Sequence, residues 1–341
     1  MLIAADATYT LDRYPTGVAV YSREVLNGIA HAHPQVRFLF CYRPHRFLHA
    51  LSQPLQNNVW RWPLLERGLR PGGLFHGLNQ RLPAKPWPVQ VATFHDLFVM
   101  SHEYSTPEFR ARFTAQARHA ADHADRIIAV SHFTAREIVR LLNVDPAKIR
   151  VIPHGVRFPS TAPIPRENLV LSVGSVQKRK NTARLVRAFA SMPDGWRLVL
   201  AGGRGYGAEE TLREIEHSPG RTRIELLDHV TDQRLADLYR RAAIFAFPSL
   251  DEGFGIPLLE AMANGVPVIT SNRSAMPEVC GGAGLLVNPE DQEELTHALC
   301  SLAGDEQLRE TLALRGRARA REFTWEKAAQ ATWSVYEELV Q

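Results

Sequence analysis

Segments typical of β-strands and α-helices alternate along almost the whole chain, and this alternation constrains the fold more than any other feature. The first half contains short apolar runs that predict strands over 1–5, 36–42, 89–93 and 126–130. Amphipathic segments between them predict helices over 19–31, 109–123 and 134–142. Such alternation is typical of a parallel sheet covered by helices.

The second half repeats the pattern. Its predicted strands span 169–173, 196–201, 224–227, 244–248 and 266–270, and its predicted helices span 182–190, 209–216, 232–241 and 257–263. A last amphipathic helix, 325–339, has no strand after it, and we expect it to pack back on the first half. Two doubly wound sheets in tandem predict a ligand cleft between them, at the carboxyl ends of the strands.

The boundary between the halves follows from length and proline content. A chain of 341 residues is too long for one ordinary core. Pro159, Pro163 and Pro165 predict a stiff linker, after a last short strand at 151–155. We therefore expect a first domain over 1–158, a second domain over 165–322 and a returning helix over 323–341.

Two local features of the first half predict further details of its secondary structure. Residues 43–88 are rich in Pro, Gly and Trp, which favours long loops over a regular layer. Thr134 and Glu137 have the spacing of a capping box, which predicts that a helix begins at Thr134.

The bulk composition predicts a soluble cytoplasmic protein. Apolar residues make up 45% of the chain and charged residues 22%, a globular balance. No apolar run reaches the ~20 residues of a membrane span, and the start has no signal-peptide pattern. Three widely spaced cysteines, Cys41, Cys280 and Cys300, argue against a disulfide framework or a zinc site.

The positive charge is concentrated in the first half. Residues 1–160 contain 19 Lys and Arg against 11 Asp and Glu, although the whole chain carries only +4. This excess is explained equally well by solvated arginines and by attraction to an anionic partner, such as an acidic membrane surface or a phosphorylated acceptor. Peripheral membrane association is therefore a hypothesis. No basic run interleaves with aromatic residues, so no nucleic acid partner is predicted.

Residues 248–260, P-S-L-D-E-G-F-G-I-P-L-L-E, have the strongest chemical pattern. Glu252 follows a buried strand, Gly253 and Gly255 let the backbone approach a ligand, and Pro257 suits a first helical position. Exposed N–H groups at such a helix start attract an anion. Two carboxylates, Glu252 and Glu260, would repel phosphate, but they accept hydrogen bonds from the hydroxyls of a sugar.

The setting E-G-F-G-I-P-x-x-E-A-M-A-x-G-x-P-V resembles the signature of family 4 retaining glycosyltransferases of GT-B fold. The resemblance continues in V-G-S-V-Q-K-R-K-N (173–181), L-A-G-G-R-G-Y (200–206), S-N-R-S-A-M-P-E-V (271–279) and F-H-D-L (94–97). It covers nearly the whole chain and is strongest toward bacterial mannosyl- and rhamnosyltransferases of surface-polysaccharide pathways. It implies two Rossmann-like domains, a nucleotide-diphosphate sugar donor, and a glycan or lipid-linked acceptor. By the same resemblance, the domain over 1–158 would bind the acceptor, and the domain over 165–322 would bind the nucleotide sugar.

The same resemblance implies roles for individual residues. Glu252 would contact the hydroxyls of the transferred sugar, Lys180 would bind the diphosphate, and His95 would hydrogen-bond the donor sugar. Positively charged groups suit this reaction because negative charge builds up on the departing nucleoside diphosphate. The remaining implied substrate-binding positions are Gly17, Ser175, Arg179, Gly203, Arg204, Val230, Gly253, Phe254, Gly255 and Glu260, the last of which would hold the ribose.

The sequence departs from the family pattern at one important position. Many relatives have an arginine directly after the glycine of the first loop, where this chain has Ser175, so Arg179 and Arg204 are alternative sources of the second positive charge. The sequence contains no D-x-D triplet, which predicts that the enzyme uses no metal ion, and we expect no other cofactor. Retention at the anomeric carbon is implied by the resemblance alone.

Three other interpretations remain at this stage. Residues 203–208 fit the G-x-G-x-x-A pattern of dinucleotide-binding dehydrogenases, but they follow the second predicted strand of their domain, whereas that pattern belongs after the first. A sugar-nucleotide epimerase or phosphorylase would share the two-domain plan. A glycan-binding subunit without catalytic activity would have no need for Glu252, Glu260, Lys180 and His95 together.

Overall fold

A computed structural model of the protein describes residues 2–12, 16–65, 71, 73–159 and 164–340. These residues form two compact units. The N-terminal unit comprises Met1–His102, Thr106–Gly155 and Thr324–Gln341, and the C-terminal unit comprises Glu103–Ser105 and Val156–Phe323. Pro163 of the predicted linker lies outside the described residues.

The N-terminal unit contains a seven-stranded parallel sheet. Its strands are β1 (Leu2–Asp6), β2 (Arg37–Tyr42), β3 (Val59–Pro63), β4 (Leu74–Gly77), β5 (Val89–Phe94), β6 (Arg126–Ala129) and β7 (Ile149–Val151). They are arranged in the order β3-β2-β1-β4-β5-β6-β7. The order reverses between β1 and β4, which makes the carboxyl ends of these two strands the switch point of the sheet.

Five helices connect these strands. They are α1 (Gly17–Ala32), α2 (Pro44–Ala50), α3 (Phe98–Ser101), α4 (Pro107–His123) and α5 (His132–Leu142). The backbone N–H of Ala19 donates to the Thr16 side chain at 3.4 Å, which caps α1. Apolar residues of α4 and α5 pack against β5 and β6, with Phe94, Ile127 and Ile138 in that cluster.

The prediction of long loops over 43–88 is wrong. The region contributes α2, the edge strand β3 and the strand β4, which pairs with β1 and β5. β4 has only four residues, all buried, between glycine- and proline-rich segments, so its sequence lacks the length that identifies a strand. Pro63 ends β3, and an edge strand tolerates proline because one side of it makes no ladder hydrogen bonds.

Two other local predictions are corrected. Helix α5 begins at His132, and its N-cap is Ser131, whose Oγ accepts from the Thr134 backbone N–H at 2.9 Å. The serine three residues earlier takes the capping position that Thr134 was expected to fill. The last strand of the sheet is Ile149–Val151, which ends where the predicted strand at 151–155 would begin.

The C-terminal unit contains a six-stranded parallel sheet. Its strands are β8 (Glu167–Val173), β9 (Arg197–Ala201), β10 (Ile224–Leu227), β11 (Ala242–Phe247), β12 (Val268–Ser271) and β13 (Leu285–Val287), in the order β10-β9-β8-β11-β12-β13. The helices are α6 (Thr182–Phe189), α7 (Ala208–His217), α8 (Asp232–Arg241), α9 (Ile256–Ala263), α10 (Met276–Cys280), α11 (Gln292–Gly304) and α12 (Glu306–Ala320). The switch point lies between β8 and β11.

The last helix, α13 (Trp325–Leu339), packs on α1 of the N-terminal unit, which confirms the prediction for the tail. Trp333 stacks on His33 with ring centroids 3.7 Å apart. Gly28 lets α1 approach closely, because a Cβ there would lie 3.1 Å from the Ala329 Cβ.

Two Rossmann-like parallel sheets with a returning C-terminal helix confirm the predicted fold class. Among the described residues, no helix is both long enough and apolar enough to cross a bilayer.

Candidate active site

The predicted site residues of the C-terminal unit lie mainly on two loops that leave neighbouring strands. β8 pairs with β11, and both strands end at the switch point of their sheet. The loop after β8 carries Ser175, Arg179 and Lys180, and the loop after β11 carries Glu252 to Gly255. Residues 72 positions apart in sequence therefore meet at one edge of the sheet.

Several backbone and side-chain contacts hold the two loops together. The Leu250 N–H donates to the Arg179 carbonyl oxygen at 2.8 Å. The Asn181 side-chain amide donates to the carbonyl oxygens of Pro248 at 3.1 Å and Pro289 at 2.7 Å. Asn181 has φ 57°, which turns the chain from the short helical turn at Lys178–Lys180 into α6. These contacts fix where the side chains of the Lys178–Lys180 turn emerge.

Arg179, Lys180 and Glu252 form a buried ion cluster. The Lys180 Nζ lies 2.5 Å from Glu252 Oε1, and Arg179 Nη1 lies 2.8 Å from Glu252 Oε2. Arg179 Nη1 also donates to the Asp251 carbonyl oxygen at 2.5 Å. The side chains of Arg179, Lys180 and Glu252 are only 9%, 12% and 9% exposed. Buried charges of this kind require partners, and here one carboxylate serves two cations.

The ion cluster controls the ionisation of Glu252. Burial by itself would raise the pKa of this carboxyl, but the positive charges of Arg179 and Lys180 and their hydrogen bonds lower the pKa to about 2. Glu252 is therefore an anion at any physiological pH. The Lys180 Nζ also lies 4.4 Å from the centre of the Phe247 ring, a cation–π contact.

Glycines with positive φ lie beside Lys180 and in the Glu252 loop. Gly174 has φ +132°, and a Cβ there would lie 3.3 Å from the Lys180 Cε. Gly255 has φ +97°, and a Cβ there would lie 2.6 Å from the Met276 Cε. The Glu252 N–H donates to Ser274 Oγ at 3.1 Å, and the Ala275 N–H donates to the Glu252 carbonyl oxygen at 3.2 Å. The main chain of the Glu252 loop is thus held on both sides.

Glu260 lies on α9 and has a different environment from Glu252. The Tyr239 hydroxyl donates to Glu260 Oε2 at 2.9 Å. Burial raises the pKa of Glu260 to about 7, an effect that the Tyr239 hydrogen bond reduces and the negative charge of Asp232 increases. As a whole residue, Glu260 is half-buried. It is poised to change protonation near neutral pH.

The other predicted positions of this unit follow β8, β9 and β10 and differ in how deeply they are buried. Ser175 and Arg204 are exposed, and Val176 forms an isolated parallel bridge with Arg204. A Cβ on Gly203 would lie 2.8 Å from His229 Nε2, so Gly203 and His229 are in close contact. The next residue along, Val230, is half-buried after β10.

Gly253 and Phe254 complete the loop after β11. Both are buried, and Phe254 packs edge-on against Phe323 at 5.9 Å.

His95 and Gly17 belong to the N-terminal unit. His95 follows β5 and is buried, with Nε2 donating to the Leu78 carbonyl oxygen at 2.9 Å and Nδ1 3.3 Å from His154 Nε2. Burial lowers the pKa of His95 to about 4, so its ring is neutral at pH 7. Tyr21 packs edge-on against the His95 ring at 4.8 Å. Gly17 is the exposed first residue of α1.

The sequence analysis missed four residues of the site. The Asp251 carbonyl oxygen accepts from Arg179, the Ser274 hydroxyl accepts from the Glu252 N–H, and the Tyr239 hydroxyl donates to Glu260. The fourth residue, Tyr104, lies in the short segment assigned to the C-terminal unit. Burial raises the pKa of Tyr104, with the negative charge of Asp251 as the next cause. Tyr239 lies in a helix of ordinary amphipathic pattern, so no sequence signal marks it. Ser274 lies inside the quoted motif 271–279 and Asp251 inside the quoted motif 248–260, so these two were accessible from sequence.

Comparison with known proteins identifies the family. The family described as Glycosyltransferase Family 4 matches residues 15–158, and the family described as Glycosyl transferases group 1 matches residues 157–319. The O-antigen chain mannosyltransferase B of Escherichia coli is 32% identical over 284 residues, covering 78% of this chain and 74% of that protein. The chain belongs to the family 4 glycosyltransferases. This enzyme class leaves the epimerase, phosphorylase and glycan-binding interpretations without support.

Solved structures share the fold of this glycosyltransferase. Sucrose-phosphate synthase from Thermosynechococcus elongatus superposes with a TM-score of 0.81 at 22% identity, covering 99% of both chains. HepE of Anabaena, in its complex with UDP-glucose, superposes with a TM-score of 0.75 at 18% identity, again over 99% of both chains. Both comparisons support the GT-B fold.

Proposed function

We propose that this glycosyltransferase moves a mannosyl or rhamnosyl unit from a nucleotide-diphosphate sugar to a glycan or lipid-linked acceptor, with retention at the anomeric carbon and without a metal ion. The mannosyltransferase of Escherichia coli supports the choice of sugar. HepE, which binds UDP-glucose, supports a nucleotide-sugar donor. GDP-mannose and dTDP-rhamnose are the donors we expect.

The observation that carries this proposal is the pair of cations at the switch point of the C-terminal unit. Arg179 and Lys180 are held side by side at the carboxyl ends of the central strands, where doubly wound sheets bind ligands. Two fixed positive charges suit the departure of a nucleoside diphosphate, because they stabilise the charge that develops in the transition state. They would supply the charge that other glycosyltransferases obtain from a metal ion.

The remaining roles follow from the chemistry of each group. Glu252 would accept hydrogen bonds from hydroxyls of the transferred sugar, and the N–H groups of Phe254 and Gly255 would assist it. Glu260, a half-buried residue of α9, would hold the ribose, because a carboxylate accepts hydrogen bonds from hydroxyls. In this assignment the C-terminal unit binds the donor and the N-terminal unit binds the acceptor.

His95 would contact the donor sugar through one particular nitrogen. Its Nε2 donates to a backbone carbonyl, which leaves Nδ1 as the acceptor. A sugar hydroxyl would then replace the 3.3 Å contact between Nδ1 and His154.

A thermal-shift panel of GDP-mannose, dTDP-rhamnose and UDP-glucose in EDTA tests the donor class. A ligand that binds only the folded protein raises its Tm, so we expect at least one donor to raise Tm and Lys180→Ala to abolish the increase. Release of nucleoside diphosphate on addition of a mannan or lipid-linked acceptor, with the product's anomeric configuration read by NMR, tests the reaction. If no donor stabilises the protein without metal, the proposal is wrong.

We also propose that the basic first half binds anionic lipid surfaces peripherally, because it has an excess of Lys and Arg. Cosedimentation with vesicles containing an anionic lipid checks this, with neutral vesicles as the control. Equal recovery in the supernatant with both vesicle types would contradict it.

A further inference from the structure

The Glu252 carboxylate of the ion cluster has two sets of partners, the observed cations and the proposed sugar hydroxyls. Both oxygens of Glu252 contact the cations assigned to the diphosphate, at 2.5 Å and 2.8 Å. In the proposed function, this carboxylate also accepts hydrogen bonds from the hydroxyls of the sugar. A carboxylate that neutralises both cations occupies the place that a diphosphate would take.

We propose that Glu252 is an internal competitor of the donor's diphosphate. In the donor-free protein it neutralises Arg179 and Lys180. It gives up these cations when the diphosphate binds, and it takes them back when the nucleoside diphosphate leaves. This inference rests on the proposed function, because it assumes that the two cations bind the diphosphate.

The electrostatics favour a diphosphate that replaces Glu252 at the cations over one that binds beside an unmoved Glu252. Arg179 and Lys180 are too buried to be neutralised by water alone, so each state of the site needs an anion beside them. Carboxylate and phosphate oxygens are equivalent acceptors for these donors. A diphosphate added beside an unmoved Glu252 would meet a like charge, whereas a diphosphate that replaces it restores the pairing.

The surrounding contacts allow the exchange without movement of the main chain. The backbone of the Glu252 loop is held by Ser274 and Ala275, so the side chain can rotate while its Cα stays in place. Arg179 also donates to the Asp251 carbonyl oxygen, which would keep its guanidinium in position after Glu252 leaves. Lys180 has a flexible stem that passes over Gly174, where no Cβ blocks it.

The exchange would couple two steps of the reaction. Binding of the diphosphate would free the Glu252 carboxylate, which could then accept hydrogen bonds from the sugar of the same donor. After transfer no sugar remains to hold the carboxylate, so it would return to the cations and help expel the nucleoside diphosphate. Glu252 would thus weaken product binding while it strengthens recognition of the intact donor.

Calorimetric titration of the full chain with inorganic pyrophosphate, GDP and dTDP in EDTA tests this exchange. We expect Glu252→Gln to bind pyrophosphate and the preferred nucleoside diphosphate at least tenfold more tightly than the wild type, although its turnover falls. Equal or weaker binding by Glu252→Gln would overturn the proposal. Glu167→Gln is the matched control, since this acid pairs with Arg197 and Arg241 at the amino end of β8, away from the carboxyl end that the cation loop follows, and should leave both affinities unchanged.

Two further measurements separate the exchange from misfolding and from failure of the proposed function. Glu252→Gln should melt below the wild type without ligand and gain more Tm from pyrophosphate, whereas Glu252→Asp, which keeps the charge, should bind pyrophosphate within about threefold of the wild type. Wild-type binding that is lost in Lys180→Ala but not strengthened in Glu252→Gln would refute the exchange alone. Absence of any Lys180-dependent binding of the three ligands would refute the proposed function and the exchange together.

Discussion

The two units bury polar groups beside their sheets in opposite ways. The C-terminal unit buries full charges, in the cluster of Arg179, Lys180 and Glu252. The N-terminal unit buries neutral rings, because burial lowers the pKa of His95 to about 4 and that of His76 to about 3. The ion cluster thus satisfies its buried groups by charge pairing, whereas these two histidines are buried as uncharged rings.

His76 of the N-terminal unit belongs to a continuous hydrogen-bonded chain. Tyr336 of α13 contacts His76 at 2.6 Å, His76 contacts the Thr93 hydroxyl at 2.8 Å, and Thr93 contacts Tyr21 at 2.9 Å. Tyr21 in turn packs on His95. Every residue of this hydrogen-bonded chain is neutral and buried, as expected of a rigid part of the fold. The charged cluster has partners that an anionic ligand can replace, so the comparison predicts ligand sensitivity for that cluster and pH sensitivity for the buried histidines.

The largest effect is expected from Lys180→Ala. Loss of the ammonium group removes a charge that stabilises the departing diphosphate, so kcat/KM should fall at least 100-fold, or by about 2.7 kcal/mol in transition-state free energy. Steady-state kinetics with the preferred donor measure this.

Lys178→Ala is the matched control, because Lys178 lies in the same helical turn but is exposed. It should change kcat/KM less than threefold. Equal losses in the two variants would show that general positive charge, and not the position of Lys180, supports the reaction.

The charged cluster was largely predictable from sequence, whereas the neutral chain was not. Glu252 and Lys180 lie in loops that follow recognisable strands, and glycines mark the places where the backbone must bend, as at Gly255 with φ +97°. Their meeting follows from topology, because parallel strands end at the same edge of a sheet. The pairing of Glu252 with both cations required coordinates, since sequence does not fix side-chain rotamers.

The neutral chain depends on contacts that have no local sequence signal. His76 lies in the four-residue strand β4, inside a region expected to be loops, and its partner Tyr336 is 260 positions away. Periodicity cannot identify a strand that is this short and buried on both faces. The resemblance identified His95, but only the structure shows that its two nitrogens face Leu78 and His154.

A second prediction concerns the free energy of unfolding at acidic pH. The unfolded chain protonates its histidines as the pH falls through about 6.5, whereas folded His95 stays neutral until about pH 4. The unfolded state therefore binds more protons over this window, and the free energy of unfolding falls with acidification. For His95 alone the loss between pH 7 and pH 5 should be about 2 kcal/mol, measurable by urea unfolding at each pH.

His95→Gln removes the titrating group and should flatten this pH dependence by about that amount. His31→Gln, at an exposed position on α1, should leave the slope unchanged. A slope that persists in His95→Gln would assign the acid sensitivity to other groups.

The smallest effect is expected at Glu260, whose pKa of about 7 leaves it partly ionised at neutral pH. The Tyr239 hydrogen bond lowers the pKa of this carboxyl, which burial raises to about 7. In Tyr239→Phe the pKa should rise further, so less of the carboxylate that accepts ribose hydroxyls is present at pH 7. Loss of one such hydrogen bond is worth about 1 kcal/mol, or roughly fivefold in donor affinity.

Because the cause is protonation, the affinity of Tyr239→Phe should recover as the pH rises from 7 to about 8.5, as isothermal titration at each pH would show. In Glu260→Gln, which cannot ionise, donor affinity should be weak and independent of pH, and adding Tyr239→Phe should introduce no pH dependence. A fivefold loss in Tyr239→Phe that is constant with pH would instead indicate that Tyr239 acts through packing against α9, where its hydroxyl also contacts the Pro257 carbonyl oxygen at 3.3 Å.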